Sequence, residues 1–180
     1  MNTPATDNIL FIDTEFTDLD PKIGELLSIA LIKPTGEELY IELAYSKEPH
    51  QWVIENVLPH LEGNPVSIVT AREQITAFIG QDRPHLVAYI NQLDAVYWYD
   101  LFGSAQSHPA HKHPIDFASI LFGYGYNTTD YSNHNFLQSI GIDIEDKGRG
   151  HHALDDCRFL RKVYYNFFDS LEAETLTETE

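Results

Sequence analysis

Asp13 and Glu15 close an apolar run, Ile9-Leu10-Phe11-Ile12, and Phe16 follows them. In an extended strand, residues two apart project to the same side, so the two carboxylates point together. Adjacent buried carboxylates repel, and a hard divalent cation with its preference for oxygen ligands relieves that repulsion. A solvated, polar strand end would look the same in sequence, so the pair needs partners elsewhere in the chain.

A second acidic pair lies in Gly148-Arg149-Gly150-His151-His152-Ala153-Leu154-Asp155-Asp156-Cys157. On a helix, Asp156 shares a face with Ala153, Leu160, Val163 and Phe167, whereas Asp155 falls with Arg158, Phe159 and Lys162. A carboxylate on the core-facing stripe is the better ligand candidate, and Asp155 is expected to pair with basic neighbours. His151 precedes this helix and could take a proton from a water, having an ordinary pKa near neutrality. Local capping or packing would explain it equally, and His152 is the alternative base. Asp94 follows a strand-like run, Leu86-Val87-Ala88-Tyr89-Ile90, and opens a helix, where active-site groups often sit. Stabilisation of the helix N-terminus is its simpler explanation. Asp100 and Asp116 are rivals for the same place.

The elements that must position these groups follow from composition and periodicity. Ile9 to Phe16 reads as a buried strand, Leu26 to Ile32 as a second, and Glu37 to Tyr45 as a half-exposed third. Short turns join them, including Lys33-Pro34-Thr35-Gly36, so an antiparallel meander is expected. Trp52 to Pro59 forms a short packed segment stopped by its proline. Thr70-Ala71-Arg72-Glu73 has the pattern of a capping box for a helix that Gly80 closes. His113 to Phe117 holds a short last strand, and Phe136 to Ile140 ends a short helix before Gly141. The final helix is expected over about residues 153–168, with a fraying acidic tail over 172–180. Strands first and strand–helix alternation afterwards predict an α/β domain around a mixed sheet.

At 180 residues the chain is expected to form one domain, 1–171, followed by the tail. No apolar run suits a bilayer, the first residues lack the pattern of a signal peptide, and the single Cys157 fits a reducing compartment. A cytoplasmic protein is expected. The formal charge of −17 argues against a long duplex footprint and for a short substrate or a strand end.

Together the motifs resemble the DEDD 3′–5′ exonuclease superfamily, in its histidine-type (DEDDh, DnaQ-like) branch. The matching stretches are Phe11-Ile12-Asp13-Thr14-Glu15-Phe16, then Val87-Ala88-Tyr89-Ile90-Asn91-Gln92-Leu93-Asp94, then His151-His152-Ala153-Leu154-Asp155-Asp156. The middle motif departs from the common His-Asn-x-x-Phe-Asp form, which touches the role of Asn91 more than that of Asp94. Softer patterns, Trp52 to Pro59 and Tyr89 to Gly103, are similar to small stand-alone bacterial and phage 3′–5′ exoribonucleases.

The resemblance implies a ribonuclease H-like fold, a mixed sheet flanked by helices, and two-metal phosphodiester hydrolysis. Asp13, Glu15, Asp94 and Asp156 would hold two Mg²⁺ or Mn²⁺ ions about 3.5–4 Å apart, and His151 would be the general base. Single-stranded RNA would be shortened from its 3′ end to nucleoside 5′-monophosphates. Phe16 with Leu27 would face the terminal base, although core packing would explain both residues. Asn91 and Arg149 are further substrate-binding candidates, and Lys147, Arg149, Arg158, Arg161 and Lys162 would guide the backbone. Homodimerisation is an expectation carried by the resemblance alone. The alternatives are a DNA exonuclease of the proofreading or repair kind and a non-catalytic nucleic-acid-binding domain on the same fold.

Overall fold

The computed structural model describes residues 4–104 and 106–177. The strands are β1 (Ile9–Phe16), β2 (Leu26–Ile32), β3 (Glu38–Glu42), β4 (His85–Ala88) and β5 (Ile115–Asp116). They form one sheet in the order β3-β2-β1-β4-β5. The first three make the expected antiparallel meander, and β4 and β5 add in parallel on the other side of β1. The helices are α1 (Gln51–Asn56), α2 (Ile68–Ile79), α3 (Gln92–Phe102), α4 (Phe117–Gly123), α5 (His134–Ser139) and α6 (Ala153–Thr177). Among the described residues no helix is long and apolar enough to cross a membrane.

Alternation along β1 divides the core into two layers. Ile9 and Phe11 pack with Phe117, Leu160, Val163 and Phe167 beneath α4 and α6. Leu10 and Ile12 face Ala71, Ile75, Tyr97 and Trp98 beneath α2 and α3. Every residue of β2 is buried, as its unbroken apolar run requires. The pairing of β4 with β1 runs only from Ile9↔His85 to Phe11↔Val87. Beyond Phe11 the two parallel strands have no further rungs, and the polar half of β1 borders a cleft.

Three local expectations change. The cap of α2 is Ser67, whose hydroxyl accepts from the Thr70 amide, so Thr70 lies inside the first turn and opens no capping box. Pro59 does not end a segment but sits within a 3₁₀ turn, Leu58–His60, near the start of which its missing N–H costs nothing. Helix α6 continues to Thr177, through much of the acidic stretch read as a fraying tail, while residues 178–180 lie outside the described residues.

Glu42, 5% exposed at the end of β3, accepts from the backbone amides of Glu62, Gly63 (2.8 Å) and Asn64 (3.0 Å) and from the Tyr40 hydroxyl (2.9 Å). One carboxylate thereby pins the loop before α2 to the sheet. Glu42→Ala is expected to cost about 2–3 kcal/mol, because buried donors lose a charged acceptor. A denaturant midpoint within error of the parent's would show that water replaces the carboxylate.

Candidate active site

The cleft beyond Phe11 has a volume of about 390 Å³ and is lined by residues of all three sequence motifs. From β1 come Asp13 and Glu15, projecting to the α6 side of the sheet as their spacing dictates. From the first turn of α6 comes Asp156. One carboxylate oxygen from each of the three lies within 4.8 Å of the others. Asp155, one residue away, turns elsewhere: it accepts from Arg149 Nε (2.7 Å) and Arg158 Nη1 (3.1 Å). The helical period separates the two acids in the way the sequence indicates.

Asp94 reaches the same cleft from the opposite face. It lies buried in the first turn of α3, and its Oδ1 accepts from the Thr14 hydroxyl at 2.6 Å. Thr14 projects to the α3 side of β1, between two acids that project to the α6 side. The strand end therefore carries three carboxylates on one flank and a hydrogen-bonded fourth on the other. Sequence reading passed over Thr14; its signal is the alternation of β1, which gives it the side opposite Asp13 and Glu15.

Asp100 is exposed on α3 and stays out of the cleft. Asp116 has a bracing role. Its Oδ1 accepts from the amides of Ile90 (2.9 Å) and Asn91 (3.3 Å), and its Oδ2 from the amide of Ser119 (3.0 Å). It thus holds the turn leading into α3, in which Ile90 adopts φ 58°. A β-branched residue in the left-handed region is rare and requires support of this kind.

His151 also adopts a left-handed backbone, φ 58°, and lines the cleft with its ring exposed. That ring makes an edge-to-face contact with Trp52 of α1, with ring centroids 4.8 Å apart. His152 is 1% exposed, packs on Tyr40 and lies outside the cleft, so it offers no base there. Burial and the nearby Arg149 guanidinium hold its pKa below the ordinary histidine value.

The acids carry a common electrostatic signature. Burial raises the pKa of Asp13 well above the usual carboxylate range, and the neighbouring Asp94, Asp156 and Glu15 raise it further. Glu15 is pushed up to about 8 by burial and then by Asp156 and Asp94. Asp94 rises to about 6, again through burial, against the lowering effect of the Thr14 hydrogen bond. Asp156 is raised by burial and partly relieved by Lys147. All four carboxylates are disfavoured as anions, and the oxygens of Asp13, Glu15 and Asp156 converge as a donor set matched to a hard divalent cation. Asp13, Glu15 and Asp156 fit one such ion, and Asp94 lines the same cleft.

Beside Glu15 and Phe16 opens an apolar pocket of about 470 Å³, also lined by Asp18, Leu19, His50, Trp52, Val53 and Val57. Phe16 stacks on Tyr97 (centroids 4.8 Å apart, planes at 12°). The Tyr97 hydroxyl donates to the Asp18 carbonyl at 2.6 Å and sets the loop after β1. Gly24 is required there, since a Cβ at that position would come within 1.9 Å of the Tyr97 oxygen. Leu27 does not meet the expectation of a base contact. It is fully buried against Val53 and Val57, because β2 is covered on both faces. Trp52 and Leu19, 46% and 72% exposed, are the apolar surfaces that sequence reading missed. Arg149 is held by Asp155, and Asn91 gives its amide to Asp116; neither lines the cleft.

No family model matches the chain, and no curated protein matches it in sequence. Solved structures do. Escherichia coli exonuclease I in complex with a dT13 oligonucleotide superimposes with a TM-score of 0.64 at 12% identity, over 94% of this chain and 42% of that one. The chain adopts the ribonuclease H-like fold of the DnaQ-like exonucleases. A second exonuclease I structure gives a TM-score of 0.64 at 14% identity, covering 92% of this chain and 43% of that one. The zinc-bound form of the E. coli exonuclease I–single-stranded DNA complex gives 0.59 at 13% identity, covering 87% and 39%. The chain thus spans about two fifths of the exonuclease I chains it matches. In this chain β1 is the central strand and carries Asp13 and Glu15, and α6 carries Asp156.

Proposed function

We propose that this chain is a divalent-cation-dependent 3′–5′ exonuclease that shortens single-stranded RNA to nucleoside 5′-monophosphates. The observation that carries the reading is the convergence of Asp13, Glu15 and Asp156, with Asp94 and His151 around the same cleft. Bound Mg²⁺ or Mn²⁺ would supply Lewis-acid stabilisation of charge on the phosphate and on the attacking and leaving oxygens. Asp13, Glu15, Asp94 and Asp156 would hold those cations. His151 Nδ1 or Nε2 takes the proton of the attacking water as its oxygen bonds to phosphorus. The bond from phosphorus to the 3′ oxygen of the penultimate nucleotide breaks, and that oxygen is reprotonated from solvent. The terminal base would rest in the apolar pocket, against Trp52, Leu19 and the edge of Phe16. Base–aromatic stacking is worth about 1–3 kcal/mol and tolerates any sequence.

A second reading, a DNA exonuclease, is favoured by the single-stranded DNA oligonucleotides held by several of the similar structures. Matched 5′-labelled single-stranded RNA and DNA, incubated with Mg²⁺, Mn²⁺ or EDTA, separate the two. The expected result is a metal-dependent ladder receding from the 3′ end of RNA and absent with Asp156→Ala. Cleavage of DNA alone would transfer the mechanism to the other substrate. Binding of both strands without cleavage would make the chain a non-catalytic nucleic-acid-binding domain.

A further inference from the structure

The positive charge gathered near the third motif in sequence is dispersed in the fold. Arg149 bonds Asp155, Arg158 chelates Glu38 with Nε at 2.9 Å and Nη2 at 2.5 Å, and Lys162 reaches Asp146 at 2.7 Å. Arg161 donates to the Pro34 carbonyl at 2.6 Å. Lys147 is different. Among the described residues it is the one Lys or Arg that lines the cleft, and its Nζ stands 3.7 Å from Asp156 Oδ1. That separation makes an ion pair but exceeds hydrogen-bond length, so the three ammonium donors remain available to a further oxygen.

Its backbone is well fixed. Lys147 ends the 3₁₀ turn Ile144–Lys147, which carries a reciprocal capping box between Asp143 and Asp146, and Gly148 follows with φ 71°. The Lys162–Asp146 pair ties the same turn to α6. A fixed backbone and a flexible four-carbon stem present a point charge beside the acids, the form in which lysine engages phosphate.

We propose that Lys147 is a substrate-phosphate residue, its ammonium shared between Asp156 and a non-bridging oxygen of the strand in the cleft. The inference rests on the exonuclease reading and adds a cation that belongs to the protein. It has two consequences of opposite sign. Lys147 repels a divalent cation approaching Asp156, and it attracts the strand. A residue that merely sat in solvent at the rim would produce neither effect.

The test compares the parent with Lys147→Met and Lys147→Arg, each checked for folding by circular dichroism. Calorimetric titration with Mn²⁺ alone, without nucleic acid, reads the first consequence. Anisotropy of a labelled single-stranded oligonucleotide, with Ca²⁺ replacing Mg²⁺ and across a salt series, reads the second. Lys147→Met is expected to bind Mn²⁺ about 3- to 10-fold more tightly, as removal of one nearby positive charge dictates. The slope of log affinity against log salt should shrink by about 0.7, the value for one lost phosphate contact on a single strand. Lys147→Arg should restore the slope. An unchanged Mn²⁺ affinity in Lys147→Met overturns the inference, and so does an unchanged salt slope. The parent's own cleavage of RNA and DNA judges the exonuclease reading separately, because neither binding measurement requires turnover.

Discussion

Asp13→Asn is expected to lower turnover by at least about 10³-fold while leaving the fold intact and, in chelator, no less stable. The two halves of this result have one cause. Asp13 occupies the centre of the acid cluster, between Asp94, Asp156 and Glu15, each of which raises its pKa. Its charge is costly to the folded protein and is of use only to a bound cation. Removing it takes away the ligand nearest all the others, and a metal's contribution to phosphoryl chemistry is worth several kcal/mol of barrier. The same substitution removes the repulsion between Asp13 and the three remaining carboxylates without opening a cavity, since asparagine is nearly isosteric. Single-turnover rates and melting in EDTA check the two halves independently. Turnover within about tenfold of the parent, in a folded variant, would remove Asp13 from the chemistry.

The second large effect is a dependence of stability on pH that divalent cations reverse. In the folded chain the pKa values of Asp13, Glu15, Asp94 and Asp156 all lie above those of free carboxylates. The folded state thus holds protons that the unfolded chain releases. The associated stability is complete below the unfolded carboxylate range. It is lost as pH rises through the folded values, about 6 for Asp94 and about 8 for Glu15. In EDTA the melting temperature is expected to fall by more than about 4 °C between pH 5 and pH 8.5. Saturating Mg²⁺ or Mn²⁺ should recover most of that loss at pH 8.5 and little at pH 5, because the cation binds the ionised acids of the native state. Asp13→Asn should flatten the profile measured in chelator. A flat parent profile, or equal stabilisation by cations at both pH values, would contradict the electrostatics described for the cleft.

Both expectations concern charges whose side of the sheet was legible in the sequence. The two-residue spacing of Asp13 and Glu15 gives them one face of a strand, and the helical period sets Asp156 inward and Asp155 outward. These are properties of local backbone geometry, which repeats with fixed periods whatever surrounds it. For the same reason the antiparallel meander, the buried β2 and the start of α6 could be read from the chain.

Tertiary structure decided the rest. Which oxygen Thr14 meets depends on where α3 docks, and α3 is eighty residues away. Leu27 and Trp52 are both large and apolar, yet packing of α1 against β2 buries the first and leaves the second beside His151. The basic residues near the third motif look equivalent in one dimension. Only the folded chain gives Arg158 to Glu38, 120 residues distant, and turns Lys147 toward Asp156. Side-chain pairing across the fold is set by the docking of elements remote in sequence, and no local period encodes it. The sequence by itself determined the side of its own strand or helix on which each of Asp13, Glu15 and Asp156 lies. The tertiary structure brought them together and decided which cation, which aromatic ring and which hydroxyl stand beside them.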